Sequence, residues 1–521
     1  MSGKGVFQTP GLVTGAAVAL TMLLMLALNV VPMANNDLWI LLKVGELIVT
    51  DHKIPETVLF PFTAVRDNHF NAHEWLVSVI YHEFDHLWGF DSLIWIMGVF
   101  ALVQFGLCVA LARRQSGSLG VALILSALAM LCANFRYVMR PELFALLFLV
   151  LLLIVLDRHR RGQRWPVLLW SIPIAVLWAN CHGSFLLAPG IAGLFALGTA
   201  WTTARAGSGT PAQRILAGVR ASVPFAVASV VMTLACALNP AGWSLLAFPF
   251  QLQKSELIRH VIKEWLPTFS PLFMEAPVFR VFMAIFVASL VPVIWLRRHL
   301  QATDVLLYLF FAALALERSR HIVWFGFVAL YVVGRLLAHV RLDRRRELQV
   351  QGAAAALALA GFCACMAFGN VLGSRIYHAY SDNFNRAFIA ELDDPRMSGN
   401  IFNSYELGGE LIYRDWPRLK PFIDSRVDSY GDDYLAFDIR LLQDEAMLND
   451  FLEHNRVNYM LLLWRDFMLK IHDMPSIRAN WHVRLSNGDM WLLERNVHFP
   501  AEPASPAASA AAAASAASAA R

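Results

Sequence analysis

GLVTGAAVALTMLLMLALNVVPM (Gly11–Met33) runs, after Ala34, into NNDLWILLKVGELIVTDHKIPETVLFPFTAVRDNHFNAHEW (Asn35–Trp75). The first stretch is uncharged and longer than the ~20 residues a bilayer core demands. It is too long for a signal-peptide core and has no small-x-small cleavage site. It therefore reads as an uncleaved first span, with Lys4 on the inner side. In the second stretch Leu38, Leu41, Leu42 and Ile48 recur at helical spacing, with Trp39 beside them. This predicts a helix lying in the membrane interface with its polar side toward water. A loop with Pro55 and Pro61 follows, and then a second helix starting near Asn71. The stretch carries Asp37, Glu46, His73 and Glu74 among bulky apolar residues.

The whole chain repeats this character. Of 521 residues, 57% are hydrophobic and 16% charged, and the mean hydropathy is +0.51. A soluble protein of this length carries far more charge, so the composition indicates an α-helical polytopic membrane protein. Eleven apolar segments are expected to cross, at 11–33, 91–112, 118–135, 140–156, 165–180, 183–201, 221–238, 279–296, 302–317, 320–338 and 352–372. The two flanking Cys181-His182-Gly183 are short enough to form a tilted hairpin instead.

Arginines orient the chain. Arg113 and Arg114, Arg158 to Arg164, Arg205 to Arg220, Arg297 and Arg298, and Arg341 to Arg346 fall on one side if the N-terminus is cytoplasmic. The outer side then receives the polar C-terminal part. Three parts are expected: a membrane domain at 1–373 with an outer interfacial loop at 34–90, a small extracytoplasmic α/β domain at 374–498, and a disordered Ala/Ser-rich tail at 499–521. Within the second part, Ile401–Asn403, Phe422–Asp424, Tyr459–Leu463 and Met490–Leu493 read as strands, and Glu445–His454 as a helix. None of the six cysteines lies beyond Cys365, so this part holds no disulfide.

Polar residues at membrane depth usually face a cavity or a partner. Here they gather on the outer side, as Asp37, His73, Glu74, Arg136, Arg140, Glu142, Asn180, His182, Asn239, Glu264, Glu317, Arg318, Arg320 and His321. Asp37 suits a general base beside an acceptor hydroxyl at the membrane surface. It equally suits an N-cap for a helix starting at Leu38, and the two roles are compatible. Asn71 and Glu74 have the spacing of a capping box, whereas His73 has no such structural explanation and suits a phosphate or a metal. Arg140-Pro141-Glu142 follows ordinary helix-start grammar, with Arg140 free to snorkel. Arg318, Arg320 and His321 form the densest outer cationic group, well shaped for a phosphate headgroup. Ion pairing with Glu264, Glu317 or the outer domain is the plainer reading. Asn239 and His182 sit in sequences that read as outer turns. His82-Glu83-Phe84-Asp85-His86 satisfies H-E-x-x-H, but no third ligand has convincing spacing.

The succession D-L-W (Asp37), G-E-x-I (Gly45), H-E-W (His73), R-P-E-L-F (Arg140), W-A-N-x-H-G (Trp178), N-P-x-G-W (Asn239) and E-W-x-P (Glu264) resembles bacterial membrane proteins of the GT-C glycosyltransferase-like type. F-N-S-Y-E-L-G-G (Phe402) and F-I-D-S-R-V-D-S-Y-G (Phe422) fit the same group, so the resemblance extends from about Asp37 to Tyr430. It implies a GT-C-like membrane domain that moves a sugar from a polyprenyl-phosphate carrier to a glycan or lipid acceptor outside the cytoplasm. On that likeness Asp37 is the base of an inverting transfer, with His73 and Glu74 beside the chemistry. The substrate-binding set is Arg140, Glu142, His182, Asn239, Glu264, Arg318, Arg320 and His321. The place expected is a bacterial inner membrane, with membrane lipid as a partner and no nucleic acid. Many such enzymes pair two acidic residues where this chain has Asn35 and Asn36 before a single Asp, which leaves a divalent metal open. Two other readings stand beside it. One is a non-catalytic scaffold or lipid-carrier transporter in envelope polysaccharide assembly; the other is a zinc metalloprotease on His82 and His86.

Overall fold

The computed structural model describes residues 10–30, 36–252, 265–377 and 384–500. Its contacts divide the chain into two compact units. The first comprises Met1–Pro32, Trp88–Gln253 and Arg259–His378, and the second Met33–Leu87, Lys254–Ile258 and Ala379–Arg521. The outer loop thus groups with the C-terminal part rather than with the spans.

The first unit is helical. Among the described residues, eight helices are long and apolar enough to cross a membrane. The expected segments 140–156, 165–180 and 302–317 are helical too but do not meet that measure. The first becomes Glu142–Arg160, whose last turns are charged. The second divides into a 3-10 turn at Trp165–Trp170 and a short helix at Ser171–Cys181. The third is Ala302–Glu317, only 16 residues long. Helix Ile322–Leu337 is apolar around nearly its whole circumference and is buried accordingly.

The arginine-rich ends of these helices are more than solvated loops. Asp304, buried in the first turn of its helix, accepts from Arg160 Nη1 at 2.9 Å and Arg335 Nε at 3.0 Å. Buried Asp157 accepts from Arg161 Nε at 2.7 Å and from the Tyr331 hydroxyl at 3.2 Å. Glu347 Oε1 accepts the N–H groups of Leu119 and Gly120, both at 3.0 Å, capping a helix whose first donors have no partner within it. Burying carboxylates demands such partners, and removing one side of a buried pair typically costs about 3–5 kcal/mol.

The second unit carries a five-stranded sheet in the order β2-β1-β3-β5-β4. The strands are β1 (Gly399–Asn403), β2 (Leu419–Pro421), β3 (Tyr459–Leu463), β4 (Trp481–Ser486) and β5 (Met490–Arg495). β2, β1 and β3 are mutually parallel, and β5 and β4 add antiparallel. Helix Glu445–His454 and strand β3 fall where the sequence places them. The expected strand at Phe422–Asp424 does not form; the strand is Leu419–Pro421. Beyond it the Asn403 side chain takes the Phe422 N–H and donates to the Ile423 carbonyl, replacing ladder bonds with side-chain bonds. β4 has no counterpart among the expected strands: it is an edge strand with an irregular, half-exposed pattern and a register shift at Val483/Leu485. The Ala/Ser tail, like Asn35 and Glu264, falls outside the described residues, apart from Phe499 and Pro500 at its start.

Candidate functional site

In the second unit the loop helix spans Asn36–Asp51, so Asp37 lies in its first turn rather than at an N-cap before Leu38. An acidic side chain there still complements the helix dipole, worth about 0.3–1 kcal/mol. The face opposite solvent is apolar. Ile40 and Val44 join Phe60 and Ile412 in a buried cluster, with Trp416 packed against it.

This helix rests on helix Gly408–Asp415, and glycines allow the contact. A Cβ on Gly409 would lie 2.5 Å from the Asn36 carbonyl oxygen, and one on Gly408 would lie 2.0 Å from that of Ile423. The E-L-G-G string is thus two close-approach positions. One of them seats the residue next to Asp37. Aromatic and cationic groups close the seam: Trp39 lies 5.0 Å from the Tyr413 ring, with the Arg414 guanidinium 5.5 Å over it. On the other side, Gly45 allows the Ser78 carbonyl to come within 2.1 Å of where its Cβ would stand. The Tyr413 hydroxyl donates to Asp85 Oδ2 at 2.7 Å.

F-I-D-S-R-V-D-S-Y-G also resolves into contacts. Asp424, fully buried, accepts from Arg426 through Nε at 3.0 Å and Nη2 at 2.7 Å, and from the Tyr430 hydroxyl at 2.7 Å. The same guanidinium lies 4.7 Å over the Phe60 ring and 4.9 Å over Phe70. One charged pair therefore pins the loop and fixes the turn after β2. The motif marks these residues, but nothing in the string shows that Phe60 and Arg426 are neighbours.

His73 and Glu74 stand before the next helix, which begins at Trp75 rather than near Asn71. No capping box forms. Glu74 instead supplies the carbonyl that accepts the Ser78 N–H, and the Asn71 Oδ1 is buried with no hydrogen-bond partner among the described residues. His73 Nδ1 lies 3.0 Å from the Asn71 carbonyl, and its Nε2 lies 3.6 Å from Glu74 Oε1. That backbone carbonyl can only accept, so Nδ1 carries a proton.

On the same helix, the His82 and His86 rings stack at 5.8 Å, and burial lowers the pKa of His82. Among the described residues no group of three or more His, Cys, Asp or Glu side chains is arranged to hold a metal ion.

In the first unit the cationic group is gathered around His321. Arg320, Glu142, Arg318 and Arg136 all lie within electrostatic reach of its ring. Arg136, named only as an outer-face residue from the sequence, is the buried partner of Glu142, donating Nε and Nη2 to Oε2 at 2.7 Å each. Arg318 Nη1 donates to the Trp265 carbonyl at 2.7 Å, while its Nε stands 3.9 Å from Glu317. Arg320 lies 4.1 Å over the Trp265 ring. The pairing of Pro267 with Arg318 and of Thr268 with Glu317 holds the segment in place. His321 Nδ1 is buried with no hydrogen-bond partner among the described residues.

The remaining expected residues divide. Arg140 precedes helix Glu142–Arg160, its carbonyl accepting the Leu143 N–H. Asn239 is fully used by the protein. It donates to the Ala179 carbonyl and Asn180 Oδ1, and accepts the Ala241 N–H in a local turn. His182 Nδ1 accepts the Ser184 N–H at 3.1 Å and lies 2.7 Å from Ser184 Oγ, which in turn accepts from Trp178 Nε1. An Nδ1 that accepts leaves the proton of the neutral ring on Nε2.

Three solved structures are similar to this chain in fold. The oligosaccharyltransferase of Archaeoglobus fulgidus, tethered to an acceptor peptide containing the NVT sequon, matches with a TM-score of 0.56 at 10% identity. That match covers 92% of this chain and 74% of the other. The Archaeoglobus fulgidus oligosaccharyltransferase AglB, in complex with an inhibitory peptide and a dolichol-phosphate, gives 0.51 at 11% identity over 94% and 75%. ArnT from Cupriavidus metallidurans, bound to undecaprenyl phosphate, gives 0.53 at 12% identity over 95% and 100%. No family model and no curated protein matches the chain. The chain is a multi-pass membrane protein with the GT-C fold, as its sequence motifs led one to expect.

Proposed function

We propose that the protein transfers a sugar from a polyprenyl-phosphate carrier to a glycan or lipid acceptor on the outer face of a bacterial inner membrane. The observation that carries this reading is the likeness in fold along nearly the whole chain to proteins solved with dolichol-phosphate and undecaprenyl phosphate. Two local features support it. Asp37 stands in the first turn of a helix built into the outer loop, and Arg318, Arg320 and His321 form a compact cationic group.

In the reaction the acceptor hydroxyl oxygen attacks the anomeric carbon while Asp37 takes its proton. The bond from that carbon to the phosphate oxygen breaks, and the phosphate leaves with the electron pair, so the anomeric centre inverts. Arg318 and Arg320 offset the charge gathering on the leaving phosphate. His321, its Nδ1 unengaged among the described residues, supplies a further polar contact to it. Glu142 acts through Arg136, holding that guanidinium in place.

The test compares purified full-length wild type with Asp37→Asn and with the double variant Arg318→Gln/Arg320→Gln, using radiolabelled sugar on a mixed polyprenyl-phosphate pool. Label should reach an acceptor with wild type alone. Asp37→Asn should keep donor binding, and the arginine variant should lose it. Full transfer by Asp37→Asn would remove it as base. Donor binding by wild type with no transfer from any carrier would favour the scaffold or transporter.

A further inference from the structure

The proposed transfer makes no use of a groove on the first unit, of about 570 Å³, between helices Ser92–Ser116 and Glu142–Arg160 and the turn at Trp165–Trp170. Its volume falls within the range of small-ligand sites, roughly 300–1,000 Å³. Leu107, Leu111, Leu151 and Ile154 make its walls, and Trp170 closes one side. The lining is apolar except at one end, where Arg114 and Arg158 stand. Both belong to the last turns of their helices, so the two guanidiniums share a level. Trp165 and Trp170, the first and last residues of the adjoining turn, are exposed at 62% and 68%. Exposed tryptophan beside arginine marks the headgroup level of a bilayer. The groove therefore has walls at acyl-chain depth and a cationic mouth at headgroup depth.

The charges at the mouth do not cancel. Arg114 Nε lies 3.6 Å from Asp157 Oδ2, but that carboxylate already accepts from Arg161 at 2.7 Å. Arg158 is exposed and makes no ion pair among the described residues. Two guanidiniums share one buried carboxylate and Arg158 stands beside them without one, leaving positive charge in excess.

We infer that this groove binds one anionic phospholipid, an acyl chain lying along Leu107, Leu151 and Ile154 and the phosphodiester held between Arg114 and Arg158. In the orientation proposed above, the lipid comes from the cytoplasmic leaflet, where anionic headgroups concentrate. A zwitterionic lipid fills the walls equally well but leaves the excess charge unmatched.

The experiment is native mass spectrometry of the delipidated full-length protein with phosphatidylglycerol or phosphatidylcholine of the same acyl chains. Wild type should retain phosphatidylglycerol preferentially. Arg158→Gln should weaken that retention about fivefold, the equivalent of about 1 kcal/mol for one basic residue near a charged surface. Ala110→Trp, which fills the groove from an exposed lining position, should abolish the preference. Should that bulky change prevent folding, Arg158→Gln decides alone, since it alters an exposed side chain. Equal retention of the two lipids by wild type, or an unchanged preference in Arg158→Gln, would overturn the assignment. So would displacement of the bound lipid by inorganic phosphate alone, or by polyprenyl phosphate at an equal concentration.

Discussion

Gly409→Ala tests how the proposed base is held. The new Cβ would stand 2.5 Å from the Asn36 carbonyl oxygen, whereas an ordinary contact begins near 3.4 Å. The obstacle is backbone, which cannot rotate away, so the start of helix Asn36–Asp51 must move by about 1 Å. Overpacking of this kind usually costs about 1–3 kcal/mol of stability. A displacement of about 1 Å at a catalytic group can lower the rate about a hundredfold, or roughly 2.7 kcal/mol in the barrier. Steady-state sugar transfer should therefore show kcat falling by one to two orders of magnitude, to about a hundredfold at most, with KM for the carrier little changed. Gly352→Ala is the control, because a Cβ there meets nothing. Hydrogen–deuterium exchange of the amides in 36–42 reads the same displacement without any substrate, and should rise in Gly409→Ala alone. A kcat within twofold of wild type, with unchanged exchange, would refute the seating argument. Altered exchange with no transfer by wild type would leave the seating intact and count against the enzyme.

Glu142→Gln takes from the buried Arg136 guanidinium the carboxylate it donates to at 2.7 Å and should destabilise the protein by up to about 3–5 kcal/mol in thermal unfolding, while Arg136→Met/Glu142→Met should recover much of that. Asp438 is pushed up to about 7, first by burial and then by Asp466. Its folded form thus holds a proton that the unfolded chain releases near pH 4, so its contribution to stability is lost as pH rises from about 4 to 7. Asp438→Asn should therefore stabilise the fold at pH 8 by about 1–2 kcal/mol after solvent screening, read as a higher unfolding temperature, and leave it nearly unchanged at pH 4. His82→Ala/His86→Ala should leave sugar transfer and elemental zinc content as they are in wild type. A stoichiometric zinc signal lost in that variant would revive the metalloprotease.

What the sequence made legible was periodic or compositional. Apolar runs located the helices, because a helix in lipid satisfies its own backbone and announces itself by length. The span measure failed at Glu142–Arg160, Ser171–Cys181 and Ala302–Glu317 for a physical reason. Glu142–Arg160 and Ala302–Glu317 carry Asp157 and Asp304, which serve buried ion pairs, and Ser171–Cys181 is cut short by the 3-10 turn before it. A window of hydropathy sees an Asp and not the Arg160 and Arg335 that neutralise it. β4 was hidden for the converse reason, since an edge strand need not alternate.

The site was legible as a set of residue types and illegible as a set of distances. Asp37 drew attention as an acid outside a first span, yet its support is read from Gly409, more than three hundred and fifty positions away in the chain. The glycine pair in F-N-S-Y-E-L-G-G belongs to the motif but carries no chemistry of its own. Only the missing Cβ explains it, and only once the helix it admits is known. The same holds for Arg426, whose cation lies over Phe60 and Phe70 while its hydrogen bonds go to Asp424. Such residues set where the proposed base can stand without themselves touching substrate. Substitutions among them should therefore lower turnover in proportion to how far the loop helix moves, not to how far they lie from Asp37.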